Sequence, residues 1–276
     1  MFKAVSLFSR KKTPRRPFKD FYAEWIDTLK NTLLPPLRRS MSWSASPSAY
    51  LLPAYVDMIH RHLQSYYDAL DVAASDDVAQ LLFPDWRNSL EKPFLWLGDL
   101  HPCLFTNLVR SFLESKDSDV DVAEPSHLFD KPWEIVMAWK NPTEALIKRI
   151  DEIERGLRLM VPALVARGRA AQALLAGRVG AEWGRCEGRK EAAKAAVGEA
   201  VKAEMEEMAS VFVDANRVRR SVLADIVSAT SIYQAALFLE GLSQFLVGFR
   251  DRELLAEFER CKTPLNWSSN STGTGF

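Results

Sequence analysis

The stretch PDWRNSLEKPFLWLGDLHPCLF, residues 84–105, sets Trp86, Phe94, Trp96 and Phe105 beside three prolines, a glycine, a histidine and a cysteine. A functional surface built there would use Arg87, Asp99 or His101, yet their spacing matches none of the usual catalytic arrangements. No G-x-S-x-G elbow, phosphate-cradling glycine loop or dinucleotide fingerprint occurs elsewhere in the chain. The aromatic residues therefore read first as architecture, with Gly98 and Pro102 setting a turn between helices.

Two other groups resemble metal ligands. His60 and His62 are two positions apart, which on a helix is a rotation of about 200°, so they face opposite sides; helical ligand pairs need i, i+3 or i, i+4 spacing. Asp117, Asp119 and Asp121 match the first three ligands of a calcium loop, but Val122 stands where the glycine belongs and Leu128 where the bidentate glutamate belongs. No catalytic residue, metal site or cofactor is expected, and a binding protein is the better reading than an enzyme. The three cysteines, widely spaced and odd in number, suggest neither a disulfide framework nor a zinc ribbon, and fit a reducing, intracellular setting.

The elements that would carry any such surface are helices. Phe18, Phe21, Trp25, Leu29 and Leu33 step by three or four, and Pro35-Pro36 is expected to end that first helix. Alternating serines from Ser40 to Ser48 predict a solvated loop. Val56, Ile59, Leu63, Tyr66, Leu70 and Ala73 predict a second helix. Phe105, Leu108, Val109 and Phe112, entered through Pro102, predict a third, followed by an acidic loop at ESKDSDVDVAE.

Leu146, Ile150, Ile153, Leu157, Met160 and Leu164 repeat 4-3-4-3-4, the seam of a helix packed on another helix, with Pro162 expected to kink or break it. Similar stripes recur at Val201, Met205, Met208, Phe212, Ala215, Val222 and Ile226, and at Ile232, Ala236, Leu239, Leu242, Leu246 and Phe249. Four glycines between 177 and 188 predict fraying between these helices. A seam of this kind serves a bundle core or a partner-binding coiled coil, so self-association stays open. The fold class is all-α: a helical bundle over 18–262, with a basic flexible arm at 1–17 and a disordered tail at 263–276.

Charge divides the chain. It has 36 basic and 36 acidic residues, but Lys3, Arg10, Lys11, Lys12, Arg15, Arg16 and Lys19 precede the first acid, leaving an acidic body behind a basic arm. The arm has three readings: a solvated tail, a contact for an anionic membrane, or a nuclear import signal. No secretory signal is expected, because the basic cluster follows the few apolar residues of the arm. The uncharged run 226–239 falls short of the roughly 20 apolar residues of a membrane span, so no transmembrane helix is expected.

FYAEWIDTL, FLWLGDLHPCLFTNLV and SIYQAALFLEGLSQFL resemble, in that order, the delay-of-germination domain of plants, over roughly Phe18 to Lys262. IHRHLQSYYDALD, WRNSLEKPFLWLGDLHP, GLRLMVPALV and ATSIYQAALFLEGLSQF are similar to the branch of that family that acts in pollen aperture formation. The resemblance implies a non-enzymatic adaptor, cytoplasmic and peripheral at plasma-membrane domains of microspores, that keeps exine wall from those places. It implies as partners a second aperture factor and a membrane-associated protein kinase. It also implies a structural core containing Trp25, Trp86, Phe94, Trp96, Gly98, Pro102 and Tyr233. Other members of the family suggest an alternative, a nuclear transcriptional co-regulator. Direct DNA binding is not expected, since only a short proline-broken arm precedes Phe18 where the family's zipper factors carry a basic helix. Haem binding in dormancy relatives relies on histidines late in the domain, and this chain has none after His127.

Overall fold

The apolar spacing that begins at Phe18 becomes helix α1, Phe18–Thr28, in a computed structural model that describes residues 17–42, 49–114, 133–185 and 190–261. The arm residues Lys3, Arg10, Lys11, Lys12, Arg15 and Arg16, most of the serine-rich loop, the acidic loop and the tail lie outside the described residues. Lys19 does not belong to a flexible arm: it sits, exposed, in the first turn of α1.

Pro35-Pro36 does not end the first helix. A π-helical turn at Leu29–Leu33, closed by Leu34 N–H donating to the Leu29 carbonyl, leads into α2, Leu34–Ser40. Both prolines thereby fall in the opening turn of α2, and the carbonyls that lose their donors to the rings, at Lys30 to Thr32, belong to exposed residues that water can reach. Helix α3, Leu52–Asp77, buries Val56, Ile59, Leu63, Tyr66 and Leu70 as the spacing predicts, and Tyr67 beside them. The short α4, Ala79–Leu82, opens the aromatic stretch.

That stretch contains, in place of a simple turn between helices, an antiparallel hairpin, β1 at Leu95–Trp96 and β2 at Asp99–Leu100. Pro102 precedes α5, Cys103–Glu114, whose Phe105 and Val109 are buried while Leu108 and Phe112 are half-buried. After α6, Trp133–Val136, come the two longest helices, α7, Glu144–Arg185, and α8, Lys190–Ala229. They run antiparallel, with Arg149 paired to Asp225 and Arg167 to Glu207 and Asp214.

Pro162 neither breaks α7 nor ends it. It lies on the exposed side of the helix, as does Arg158, whose carbonyl loses its partner to the proline; water can satisfy that carbonyl while α8 supports the other face. The backbone also stays helical through Gly177, Gly180 and Gly184 as far as Arg185; Gly188 lies outside the described residues. The seam itself is corrected at two places: Met160 and Val201 are exposed, whereas Leu146, Ile150, Ile153, Leu157 and Leu164 are buried. By length and composition alone, α7 also contains a stretch apolar enough to cross a bilayer, although it is not free of charge.

Helix α9, Ile232–Gly248, starts with a capping box in which Ser231 and Gln234 each accept the other's backbone N–H. It packs against α2, α3, α5 and α6 and buries Ala235, Ala236, Phe238, Leu239, Leu242 and Leu246. Helix α10, Arg252–Arg260, follows a bend. One apolar cluster runs from Phe18 to Phe249 through these helices, so the all-α bundle is the fold.

Candidate functional site

Leu97 and Gly98 connect β1 to β2 with φ of 44° and 79°. Positive φ at both central residues is the signature of a type I′ turn, whose twist suits an antiparallel hairpin. Glycine adopts it freely; leucine does so at a cost. Gly98 is further constrained by space, since a Cβ there would lie 2.6 Å from the Leu81 carbonyl oxygen and from the Phe212 ring. The hairpin tip is thus wedged between α4 and α8.

Two buried arginines hold it. Arg219 of α8 donates from Nε to the Leu100 carbonyl at 2.8 Å, from Nη1 to the Asn216 side chain at 2.7 Å, and from Nη2 to the carbonyl oxygens of Trp96, Leu97 and Asp99. Its guanidinium also lies 5.3 Å from the Trp96 ring centroid. Burial holds the Arg219 pKa below the ordinary arginine value, although Asp99 and the Tyr67 and Tyr66 side chains oppose that. The carbonyl dipoles take the place of the hydration it has lost.

Arg87 reaches the other side of the turn. It donates to Asp99 at 2.7 Å, to the Tyr66 hydroxyl at 2.6 Å, and more weakly to Tyr22 and Glu91 at 3.3 Å. The Tyr66 hydroxyl in turn donates to Asp99 at 3.1 Å. Burial disfavours the Arg87 charge, but Tyr66, Tyr22, Asp99 and Glu91 together raise its pKa above the ordinary value. Burial likewise raises the carboxyl pKa of Glu91, against the pull of Arg87 and Arg250, and the phenols of Tyr22 and Tyr66. Both phenols stay neutral at physiological pH.

Of the three residues that a functional surface here would use, Arg87 and Asp99 are therefore withdrawn from it. Both are buried and spent on one another, and only His101 of that trio is partly exposed. The cluster joins α1, α3, the aromatic stretch and α9's exit, where Asn88 donates to the Phe249 carbonyl at 2.7 Å. Its chemistry is that of a fastener, with carboxylates paired to guanidinium groups and phenols orienting both.

The remaining core expectations divide. Trp25, Gly98 and Pro102 are buried; Trp86, Phe94 and Trp96 are half-buried and pack against the core. Tyr233 is not core: it lies at the surface of the first turn of α9, off the face carrying Ala236 and Leu239. His60 and His62 face different neighbours, His60 beside Gln64 and His62 flat on the Trp25 ring at 4.8 Å. Among the described residues no cluster of histidine, cysteine and carboxylate side chains could hold a metal ion. Lys19 and Trp86 do meet, at an open depression of ≈ 390 Å³ also lined by Asp20, Ala23, Asp85 and Arg250.

A family model for seed dormancy control, DOG1, matches residues 33–111, a span from the π-helical turn into α5 that includes Arg87, Glu91 and the hairpin. Protein INAPERTURATE POLLEN1 of Arabidopsis thaliana is 52% identical over 94% of this chain and 98% of its own length. The chain belongs to the INAPERTURATE POLLEN1 family. A rice member, Protein INAPERTURATE POLLEN 1 homolog of Oryza sativa subsp. japonica, is 36% identical over 90% of both chains. In this member of the INAPERTURATE POLLEN1 family, Arg219 lies beyond the part that the dormancy model matches, so the clasp on the hairpin joins that part to the long helices.

Proposed function

We propose that the protein is a non-enzymatic developmental adaptor in pollen aperture formation, marking plasma-membrane domains of microspores where exine is not deposited. The observation that carries this reading is similarity along almost the whole chain to proteins named for inaperturate pollen. The adaptor role is supported by the buried polar cluster, whose charged groups are occupied with each other and closed to solvent. In this proposal the protein is cytoplasmic and peripheral to the membrane, and acts with a second aperture factor and a membrane-associated protein kinase. The arm residues Lys3, Arg10, Lys11, Lys12, Arg15 and Arg16, with Lys19 beside them, are proposed to contribute attraction to an anionic leaflet.

A second reading is a nuclear transcriptional co-regulator, favoured by the match of residues 33–111 to the seed-dormancy family model. A fluorescent fusion imaged in tetrad-stage microspores separates the two. Signal at restricted patches of the plasma membrane is expected, and signal confined to nuclei would reject the first reading in favour of the second.

A further inference from the structure

Between 155 and 181 the chain has no aspartate or glutamate, but it carries Arg155, Arg158, Arg167, Arg169 and Arg178. All of these lie in α7. Arg167 is engaged with Glu207, Asp214 and Ser210 of α8. The other four have no ion-pair partner among the described residues.

The helix has two stripes. The inner one, with Leu157, Leu164 and Ala171, is buried. On the opposite side Arg155, Leu159, Pro162, Ala166, Arg169 and Ala173 repeat 4-3-4-3-4, and every one is exposed. Leu159 and Leu174 are 72% and 64% exposed, too open to be counted as core side chains. A solvent-facing stripe normally carries mixed charge and polar groups. This one offers only apolar, small and cationic side chains over about 27 Å of helix.

We propose that the outer face of α7 is a docking surface for an anionic lipid surface, on which the helix lies flat. The inference rests on the peripheral-membrane part of the proposed function and assigns it a place. Arg155, Arg158 and Arg169 on that face can point their guanidinium groups toward phosphates while their stems, with Leu159 and the flanking Leu174, enter the boundary of the acyl layer. The arginines fall at uneven intervals along the helix, and a continuous anionic layer meets them without a fixed register, whereas an acidic protein would have to present carboxylates at matching positions. The inner stripe and the Arg167 pairs keep α8 attached, so α7 is embedded from one side and does not span, in spite of its apolar stretch.

The test is co-sedimentation of the purified full chain with phosphatidylcholine vesicles, with and without phosphatidylserine. Three variants are compared: Arg155→Gln with Arg158→Gln and Arg169→Gln; Leu159→Gln with Leu174→Gln; and the arm variant with Gln at Arg10, Lys11, Lys12, Arg15 and Arg16. Circular dichroism and melting are run on each, and because the changed α7 residues are exposed the fold is expected to persist. The parent should bind only vesicles containing phosphatidylserine, and each α7 variant should bind about tenfold more weakly or worse. Equal binding by parent and folded α7 variants, with loss only in the arm variant, would overturn the α7 surface while leaving the membrane reading intact. A parent that binds no vesicle, in company with α7 variants that lose membrane patches in microspores, would assign this face to an acidic protein instead and overturn the lipid proposal.

Discussion

Arg219 Nε donates to the carbonyl oxygen of Leu100 at 2.8 Å, across 119 positions of sequence. With its further bonds to Trp96, Leu97 and Asp99, one side chain of α8 satisfies the inner carbonyls of a hairpin too short to be stable alone. Arg219→Met should therefore cost at least about 2 kcal/mol, because it leaves buried acceptors without donors. Arg219→Lys should recover only part of that, since an ammonium cannot reproduce the planar fork. Urea unfolding of the three proteins checks this, and equal midpoints would show that the clasp contributes nothing.

Gly98→Ala acts on the same turn by two routes. A Cβ at φ of 79° is strained, and it would meet the Leu81 carbonyl and Phe212 at 2.6 Å. A loss of about 1–3 kcal/mol is expected from the backbone alone, with the clash added to it. Thermal unfolding at matched concentration measures it.

Trp25 and His62 form a reciprocal pair: the Trp25 indole donates to the His62 carbonyl at 2.9 Å, and His62 Nε2 donates to the Trp25 carbonyl at 3.0 Å. Burial holds the His62 pKa below its ordinary 6.5, although the bond to Trp25 works the other way. Burial also lowers His60, opposed by Asp57, and His101, assisted by Arg219. A folded pKa below the unfolded one means the unfolded chain binds more protons, so this stability is complete above pH 6.5 and is lost as pH falls below it. Glu91, raised by burial above its ordinary 4.5, acts in the opposite sense, its contribution being lost as pH rises above 4.5. The melting temperature should fall between about pH 7.5 and about pH 5.5. His62→Gln should make that slope shallower; an unchanged slope would remove His62 from it.

The inner and outer stripes of α7 give a paired prediction. Leu157 is 1% exposed, so Leu157→Asp would bury an unpaired carboxylate and should leave the protein unfolded or insoluble. Leu159→Asp, two positions away on the open side, should change stability by no more than about 0.5 kcal/mol. Soluble, cooperatively folded Leu157→Asp would contradict the bundle core.

Helical stripes were legible because each repeats over many turns, and the buried positions of α3, α7 and α9 follow them closely. Proline does not end a helix at Pro162 or at Pro35-Pro36, because packing on α8 holds α7 helical through the first and a π-helical turn leads into the second. The hairpin strands are two residues each, too short for an alternating pattern to register; the only local trace was the glycine after Leu97. The burial of Arg87 and Asp99 was not legible because the partners Tyr22 and Tyr66 come from distant helices. Nothing in the order of residues around Arg219 announces that its side chain will turn inward.

The central claim is that this chain serves pollen aperture formation, and complementation tests it most directly. The chain, fused to a fluorescent protein and expressed from the native promoter, is introduced into Arabidopsis thaliana plants that lack INAPERTURATE POLLEN1, its 52% identical relative. The account predicts that apertures return and that the fusion gathers at plasma-membrane patches of tetrad-stage microspores. Pollen still without apertures, in plants whose microspores contain the soluble intact fusion, would contradict it.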